Sequence, residues 1–248
     1  MKKNKIFLNY FLETPNFLSI FLYPIFLVSI SPVLLDISNE LGIAPASLNL
    51  VLSFLIIGNI AGQLTSSLYN IKFRKFTVIF MLYIILLPLA VSLFFITKLY
   101  LFYIVYFACG YILGVIWIQA NAFLLDSKIE NKNRLINVAL IFFPVGAIIA
   151  PLLSIAVSAL NLSWRYLYAV IIFLIAFTLA SYLVLKRKNK NEASEVEDKF
   201  NFKEVFAYKY QNRIFLISVL TLFFYGISET VIYTWSPTFF RLDRLMPP

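Results

Sequence analysis

The residues of this sequence that could bind a polar solute are one carboxylate and a few side-chain amides, all set within long apolar runs. Glu229 stands in the middle of the apolar run 214–240. A carboxylate in such a run is costly to ionise, so it could bind and release a proton; equally, a protonated glutamate could simply bond a neighbouring helix. Uncharged amides in apolar helices are expected to face the bundle interior or a wet cavity. The predicted cavity-lining amides are Gln119, Asn121 and Asn137, with Asn59 and Gln63 as weaker candidates.

Covalent catalysis is not indicated by these residue types. The chain has no histidine, and Cys109 is its one cysteine. Neither a nucleophile–base pair nor a metal-ligand cluster is evident, so the sequence predicts no enzyme activity, no metal and no cofactor. The formal net charge of +9 could suit nucleic acid. However, the basic residues lie in short loops between apolar runs rather than on one continuous face, which excludes a nucleic-acid partner.

The elements that position these residues are predicted to be membrane-spanning helices. Hydrophobic residues make up 61% of the chain and charged residues 13%, whereas a soluble domain has about 25% charged residues. Crossing a bilayer takes roughly 20 consecutive, mostly apolar residues in a helix. An all-α membrane protein in contact with lipid is therefore expected. Seven runs qualify, at 16–35, 47–69, 76–97, 99–125, 135–160, 164–185 and 214–240.

The distribution of basic residues predicts orientation and domain organisation. Seventeen of the 21 Lys and Arg residues fall on the side of the N-terminus, which predicts a cytoplasmic N-terminus and an external C-terminus in the plasma membrane. The predicted domains are an interfacial segment 1–15, a six-helix half 16–185, a cytoplasmic linker 186–213, a seventh span 214–240 and an external tail 241–248.

An internal repeat divides the first six spans into two sets of three. The segment 53–64 resembles the segment 141–152, and it aligns Gly58 with Gly146, 88 residues later. Because three is an odd number of spans, the two copies must be inverted relative to each other in the membrane. Small residues four apart predict close helix packing, with close passage of a substrate as the alternative. The glycines concerned are Gly58, Gly62, Gly110, Gly114 and Gly146.

Several short stretches resemble a known transporter family. The loop after the second span is similar to the cytoplasmic loop motif of the major facilitator superfamily, Gly-x-Leu-x-Asp-Arg-x-Gly-Arg-Arg/Lys. Asn121, the stretch 134–137 and the stretch 225–235 with Glu229 resemble the fucose–proton symporter and sugar permease branch. The residues aligned with the loop motif are Ser66, Leu68, Asn70, Arg74 and Lys75, with Ser66 in place of Gly and Asn70 in place of Asp.

The resemblance implies a secondary transporter that moves a small solute by alternating access, with a sugar as one option and Glu229 as the candidate proton carrier. The family has twelve spans, so we expect a truncated chain whose missing C-terminal half is supplied by another chain or replaced by homo-association. The alternative is a non-transporting relic or a half-size membrane subunit that needs a partner. A retinal protein is disfavoured because the run 214–240 contains no lysine for a Schiff base.

Overall fold

The chain folds into a bundle of α-helices. The computed structural model describes residues 13–70, 73–126 and 132–188, together with residues 216–218, 220, 221, 224–226, 228 and 232. No strand occurs among these residues, so the all-α prediction is confirmed. The helices of the first three ranges are α1 Thr14–Val28, α2 Ile30–Leu41, α3 Pro45–Asn70, α4 Lys75–Phe95, α5 Leu99–Leu125, α6 Lys132–Ala159 and α7 Arg165–Lys188.

The helices correspond to the first six predicted spans. Each of α3 to α7 is long and apolar enough to cross a bilayer, and its ends lie within three residues of the predicted ones. The first span differs from the prediction. This region forms two helices, α1 and α2, which are bent by 42° relative to each other, and α2 ends at Leu41 rather than at residue 35.

The bend in the first span has a local cause at Ser29. Pro32 has no backbone N–H, so it cannot donate the hydrogen bond that would continue the helix from the carbonyl of Val28. The hydroxyl of Ser154 on α6 donates to the carbonyl oxygen of Ser29 at 2.7 Å. A side chain from another helix thus satisfies a backbone group beside the break. The C-terminal end of α2 is capped by Gly42, whose φ of +64° is in the left-handed region.

Two pairs of parallel helices form the layer that carries the polar residues. Helices α3 and α5 approach so closely that a Cβ at Gly58 would lie 2.2 Å from the carbonyl oxygen of Phe107, and one at Gly62 would lie 2.0 Å from that of Tyr111. Both contacts advance by four residues, so the two helices run in the same direction. Gly110 and Gly114 make the reciprocal contacts with α3, at 2.1 Å and 2.2 Å.

Helices α1 and α6 form the second parallel pair. Phe17 stacks on Phe142, and a Cβ at Gly146 would lie 2.4 Å from the carbonyl oxygen of Phe21. Gly58 and Gly146, which the internal repeat aligns, thus make the same kind of contact, each with a helix of the opposite repeat. The two pairs are equivalent under an inverted repeat of three spans.

Helices α4 and α7 pack behind this layer, against α5 and α1. Buried hydroxyls and an amide join them to α1: the Tyr182 hydroxyl donates to Asn16 Oδ1 at 2.8 Å, and the Tyr83 hydroxyl donates to Ser19 Oγ at 3.0 Å. Because lipid tails offer no hydrogen bonds, such pairs fix how the helices sit against one another.

Ion pairs close both ends of the bundle. Glu40 at the end of α2 pairs with Arg165 at the start of α7, and Arg165 Nε also donates to the carbonyl of Phe94 at 3.1 Å. At the opposite end Lys75 pairs with Asp126, which directly follows the last residue of α5. The predicted segment 1–15 and linker 186–213 lie mostly outside the described residues, and the tail 241–248 lies wholly outside them.

Candidate functional site

Two amides and a tyrosine form a hydrogen-bonded group where α1 meets α3. Asn59 and Gln63 lie one turn apart on α3, and Tyr23 reaches them from α1. The Tyr23 hydroxyl donates to Asn59 Oδ1 at 2.9 Å, and Gln63 Nε2 donates to the same oxygen at 2.6 Å. Gln63 Nε2 also lies 3.3 Å from the Tyr23 hydroxyl. Tyr23 and Asn59 are buried, whereas Gln63 is partly exposed. The polar atoms of the two buried residues thus have hydrogen-bond partners, and the group is accessible from the side of Gln63.

Three aromatic rings adjoin these amides. The ring of Tyr23 stacks on that of Trp117 from α5, with centroids 4.6 Å apart and planes 25° from parallel. Phe143 from α6 lies 5.4 Å from the Trp117 ring and 6.2 Å from the Tyr23 ring. Trp117 and Phe143 are half-buried. Small-molecule sites commonly combine apolar ring surface with a few placed polar groups in this way.

We call these five residues the amide–aromatic group: Tyr23, Asn59, Gln63, Trp117 and Phe143. They come from α1, α3, α5 and α6, so both three-span repeats contribute. The close approach of α3 and α5 holds the group together. Asn59 Nδ2 donates to the carbonyl of Gly110 at 3.4 Å, and a Cβ at Gly114 would lie 2.2 Å from the carbonyl of Asn59.

The other predicted amides lie in different surroundings. Gln119 is fully buried between α3 and α5, where its Nε2 donates to the carbonyl of Ser66 at 2.8 Å and to the Ser66 hydroxyl at 3.0 Å. Asn121 is half-buried and donates to the carbonyl of Trp117 at 2.8 Å, which places it one turn from the amide–aromatic group. Asn137 is exposed near the start of α6. The structure thus brings Asn59 and Gln63 together and places Gln119 in a helix contact.

The residues of the loop motif lie at the end of the bundle where α3 leads into α4. Ser66 is buried, and Lys75 Nζ pairs with Asp126 at the end of α5. The side-chain oxygen of Asn70 is buried and has no hydrogen-bond partner among the described residues. This region therefore ties the α3–α4 connection to α5 by an ion pair of Lys75. The two remaining members, Leu68 and Arg74, are exposed.

Glu229, the candidate proton carrier, lies outside the described residues. Among the residues the structure does describe, no group of three or more His, Cys, Asp or Glu side chains could hold a metal ion. Cys109 is fully buried in the apolar core.

Sequence reasoning missed the aromatic half of the site: Tyr23, Trp117 and Phe143. Aromatic residues account for 18% of the chain, so a single ring does not stand out. A signal was present on α5, where Trp117 precedes Asn121 by four residues and therefore shares its helix face. Recognising the group also requires knowing that α1 packs beside α5 and α6, which hydropathy does not reveal.

A comparison with protein families agrees with this architecture. The model of the Major Facilitator Superfamily matches residues 17–246, a range that contains nearly all of the described helices. No curated protein matches the sequence significantly.

Proposed function

The chain belongs to the major facilitator superfamily, and we propose that it carries a small, uncharged polar solute across the membrane by alternating access, binding it at the amide–aromatic group. Members of this family are membrane transporters that bind small solutes. In transporters built from inverted repeats, the substrate site lies near the bilayer midplane, at the interface of the repeats.

The observation that supports this proposal is the placement of a stacked ring pair beside a partly exposed amide. The half-buried ring of Trp117, backed by the buried ring of Tyr23, offers apolar surface, and Gln63 offers hydrogen-bonding atoms beside the Tyr23 hydroxyl. Asn59 lies near the midpoint of α3, so the group sits at the depth expected for a transported solute. Together these features suit a solute with an apolar face and polar groups at its edge.

A monosaccharide has this combination, because its ring exposes C–H groups on one face and hydroxyls around the edge. We therefore propose a sugar as the solute, in keeping with the resemblance of Asn121 and the stretch 225–235 to the fucose–proton symporter branch. We further propose that Glu229 carries the coupled proton, because a carboxylate within an apolar span is costly to ionise and is commonly functional. The proposed orientation has the N-terminus in the cytoplasm.

The test is uptake into proteoliposomes by the purified full chain. Labelled D-glucose, D-galactose, L-fucose and D-xylose are offered with and without an inward proton gradient. We expect saturable uptake of at least one sugar, and loss of that uptake in Trp117→Ala. The matched control is Phe173→Ala on α7, because Phe173 is 67% exposed and stacks on its neighbour Phe177, away from the group. Absence of uptake for every sugar, or full uptake by Trp117→Ala, would overturn the proposal.

A further inference from the structure

We infer that the side-chain oxygen of Gln63 is the specificity-determining acceptor of the site. It takes a hydrogen bond from a hydroxyl or N–H group of the solute while the solute's apolar face rests on the half-buried ring of Trp117. This inference rests on the proposed function, because it assumes that a solute binds at the amide–aromatic group. It assigns a direction to the recognition: the protein accepts and the solute donates.

The carbonyl of Gly110 fixes the orientation of the Asn59 amide, from which the direction of the other hydrogen bonds follows. A carbonyl can only accept a hydrogen bond, so Asn59 must turn its nitrogen toward it, at 3.4 Å. The approach is enforced by packing, since a Cβ at Gly110 would lie 3.1 Å from the backbone nitrogen of Asn59. With Nδ2 committed in this way, Asn59 Oδ1 faces the other side, where it receives the Tyr23 hydroxyl at 2.9 Å.

The orientation of Asn59 in turn determines that of Gln63. The Gln63 amide group lies 2.6 Å from Asn59 Oδ1, which can only accept. Gln63 must therefore present its nitrogen there, because a flipped amide would set two acceptor oxygens against each other at that distance. The same nitrogen lies 3.3 Å from the Tyr23 hydroxyl.

The side-chain oxygen of Gln63 takes no part in this hydrogen-bond network. Within the described part of the protein, the hydrogen bonds of Gln63 to Asn59 and Tyr23 both use Nε2, and the side chain is partly exposed. An acceptor next to the ring of Tyr23 would favour a solute that places a donor at the edge of its apolar face. A solute that presents only an acceptor at that position would leave two acceptors facing each other and would bind more weakly.

The experiment uses the sugar that the purified full chain transports best as the labelled probe. Its unlabelled monodeoxy and monodeoxyfluoro analogues compete for uptake. A deoxy position has neither donor nor acceptor, whereas a fluorine can accept weakly but cannot donate. At one ring position we expect both analogues to compete about tenfold less well than the parent sugar, which is the effect of losing one hydrogen bond to a neutral, partly exposed group. A deoxyfluoro analogue as potent as the parent at every position would overturn the inference, because the protein would then not require a donor.

Three variants assign the effect to Gln63. Gln63→Met removes the acceptor at nearly constant volume, so parent and analogue should compete equally. Gln63→Glu keeps an acceptor oxygen when protonated and should retain the discrimination. The matched control is Thr65→Val, because residues 63 and 65 lie on opposite sides of α3 and Thr65 bonds the Tyr111 hydroxyl instead.

The outcomes separate this inference from the proposed function. Uptake with unchanged discrimination in Gln63→Met, or lost discrimination in Gln63→Glu or Thr65→Val, would overturn the role of Gln63 while leaving transport intact. Absence of uptake of every sugar by the unmodified chain would overturn the proposed function and this inference with it.

Discussion

The close contact between α3 and α5 makes a quantitative prediction for Gly62→Ala. The new Cβ would lie 2.0 Å from the carbonyl oxygen of Tyr111, and Cβ atoms essentially never approach closer than 3.0 Å, so the helices must separate by about 1 Å. Overpacking of this kind costs about 1–3 kcal/mol, offset by at most about 1 kcal/mol of gained helix propensity. We expect a net loss of about 1–2 kcal/mol, or a fall in the apparent melting temperature of about 2–8 °C.

The matched control is Gly226→Ala. A Cβ at Gly226 would meet no atom of the described structure within 4 Å, so we expect this variant to gain helix propensity without pushing any described helices apart. Thermal stability is followed by fluorescence-detected size exclusion of the detergent-solubilised protein, with all variants heated at one rate. Equal melting temperatures for Gly62→Ala and Gly226→Ala would refute the argument, since they would show that α3 and α5 can separate without loss of stability.

The double variant Gly62→Ala/Gly114→Ala tests whether the α3–α5 interface responds as one unit. A Cβ at Gly114 would lie 2.2 Å from the carbonyl of Asn59, in the same interface as Gly62. Once one alanine has separated the helices, the second meets less resistance, so the double variant should lose clearly less stability than the two single losses added together. Additive losses would indicate two independent local adjustments instead.

Three further predictions follow from single contacts. Lys75→Asp should lower the melting temperature, because it breaks the ion pair between the start of α4 and the end of α5. The charge swap with Asp126→Lys should restore the lost melting temperature, because the pair reforms with reversed signs. Ser154→Ala should lower stability by about 1 kcal/mol, because the carbonyl of Ser29 loses its 2.7 Å hydrogen bond, whereas Ser154→Thr should not; the same thermal assay decides. Glu229→Gln should abolish the stimulation of uptake by a proton gradient, and a variant that keeps this stimulation would contradict the proton-carrying role.

Much of the fold could be predicted because each membrane-spanning helix depends mainly on the residues within its own segment. A helix in lipid needs a run of apolar residues of fixed length, so hydropathy located α3 to α7 to within three residues at each end. The bend at Ser29 was missed although Pro32 signals it, because proline alone does not decide the matter: the helices continue through Pro24 and Pro88.

The site was predicted less completely, and the reason lies in packing. Small residues four apart identified Gly58 and Gly62 as contact positions, but this pattern does not indicate which helix packs against them. Gln119 and Gln63 look alike as sequence, but a difference of helix face buries the first against Ser66 and leaves the second partly open. The pairing of Tyr23 with Trp117 depends on two helices about 90 residues apart in the chain, so no local pattern contains it.

The measurement that tests the central claim most directly is tryptophan emission during titration of the purified full chain with the sugar it takes up. Because Trp117 stacks on Tyr23 at the proposed site, we predict a saturable change in emission, with a midpoint that matches the midpoint of uptake. The titration is made in a Trp235→Phe background, because Trp235 is the third tryptophan of the chain and belongs to the stretch 225–235. In that background the change should be absent in Trp117→Phe. Trp164 should report nothing, because it is buried between α6 and α7, where its ring nitrogen donates a hydrogen bond to Glu40. Saturable uptake accompanied by an emission change that persists in Trp117→Phe would contradict the account, because the solute would then bind elsewhere.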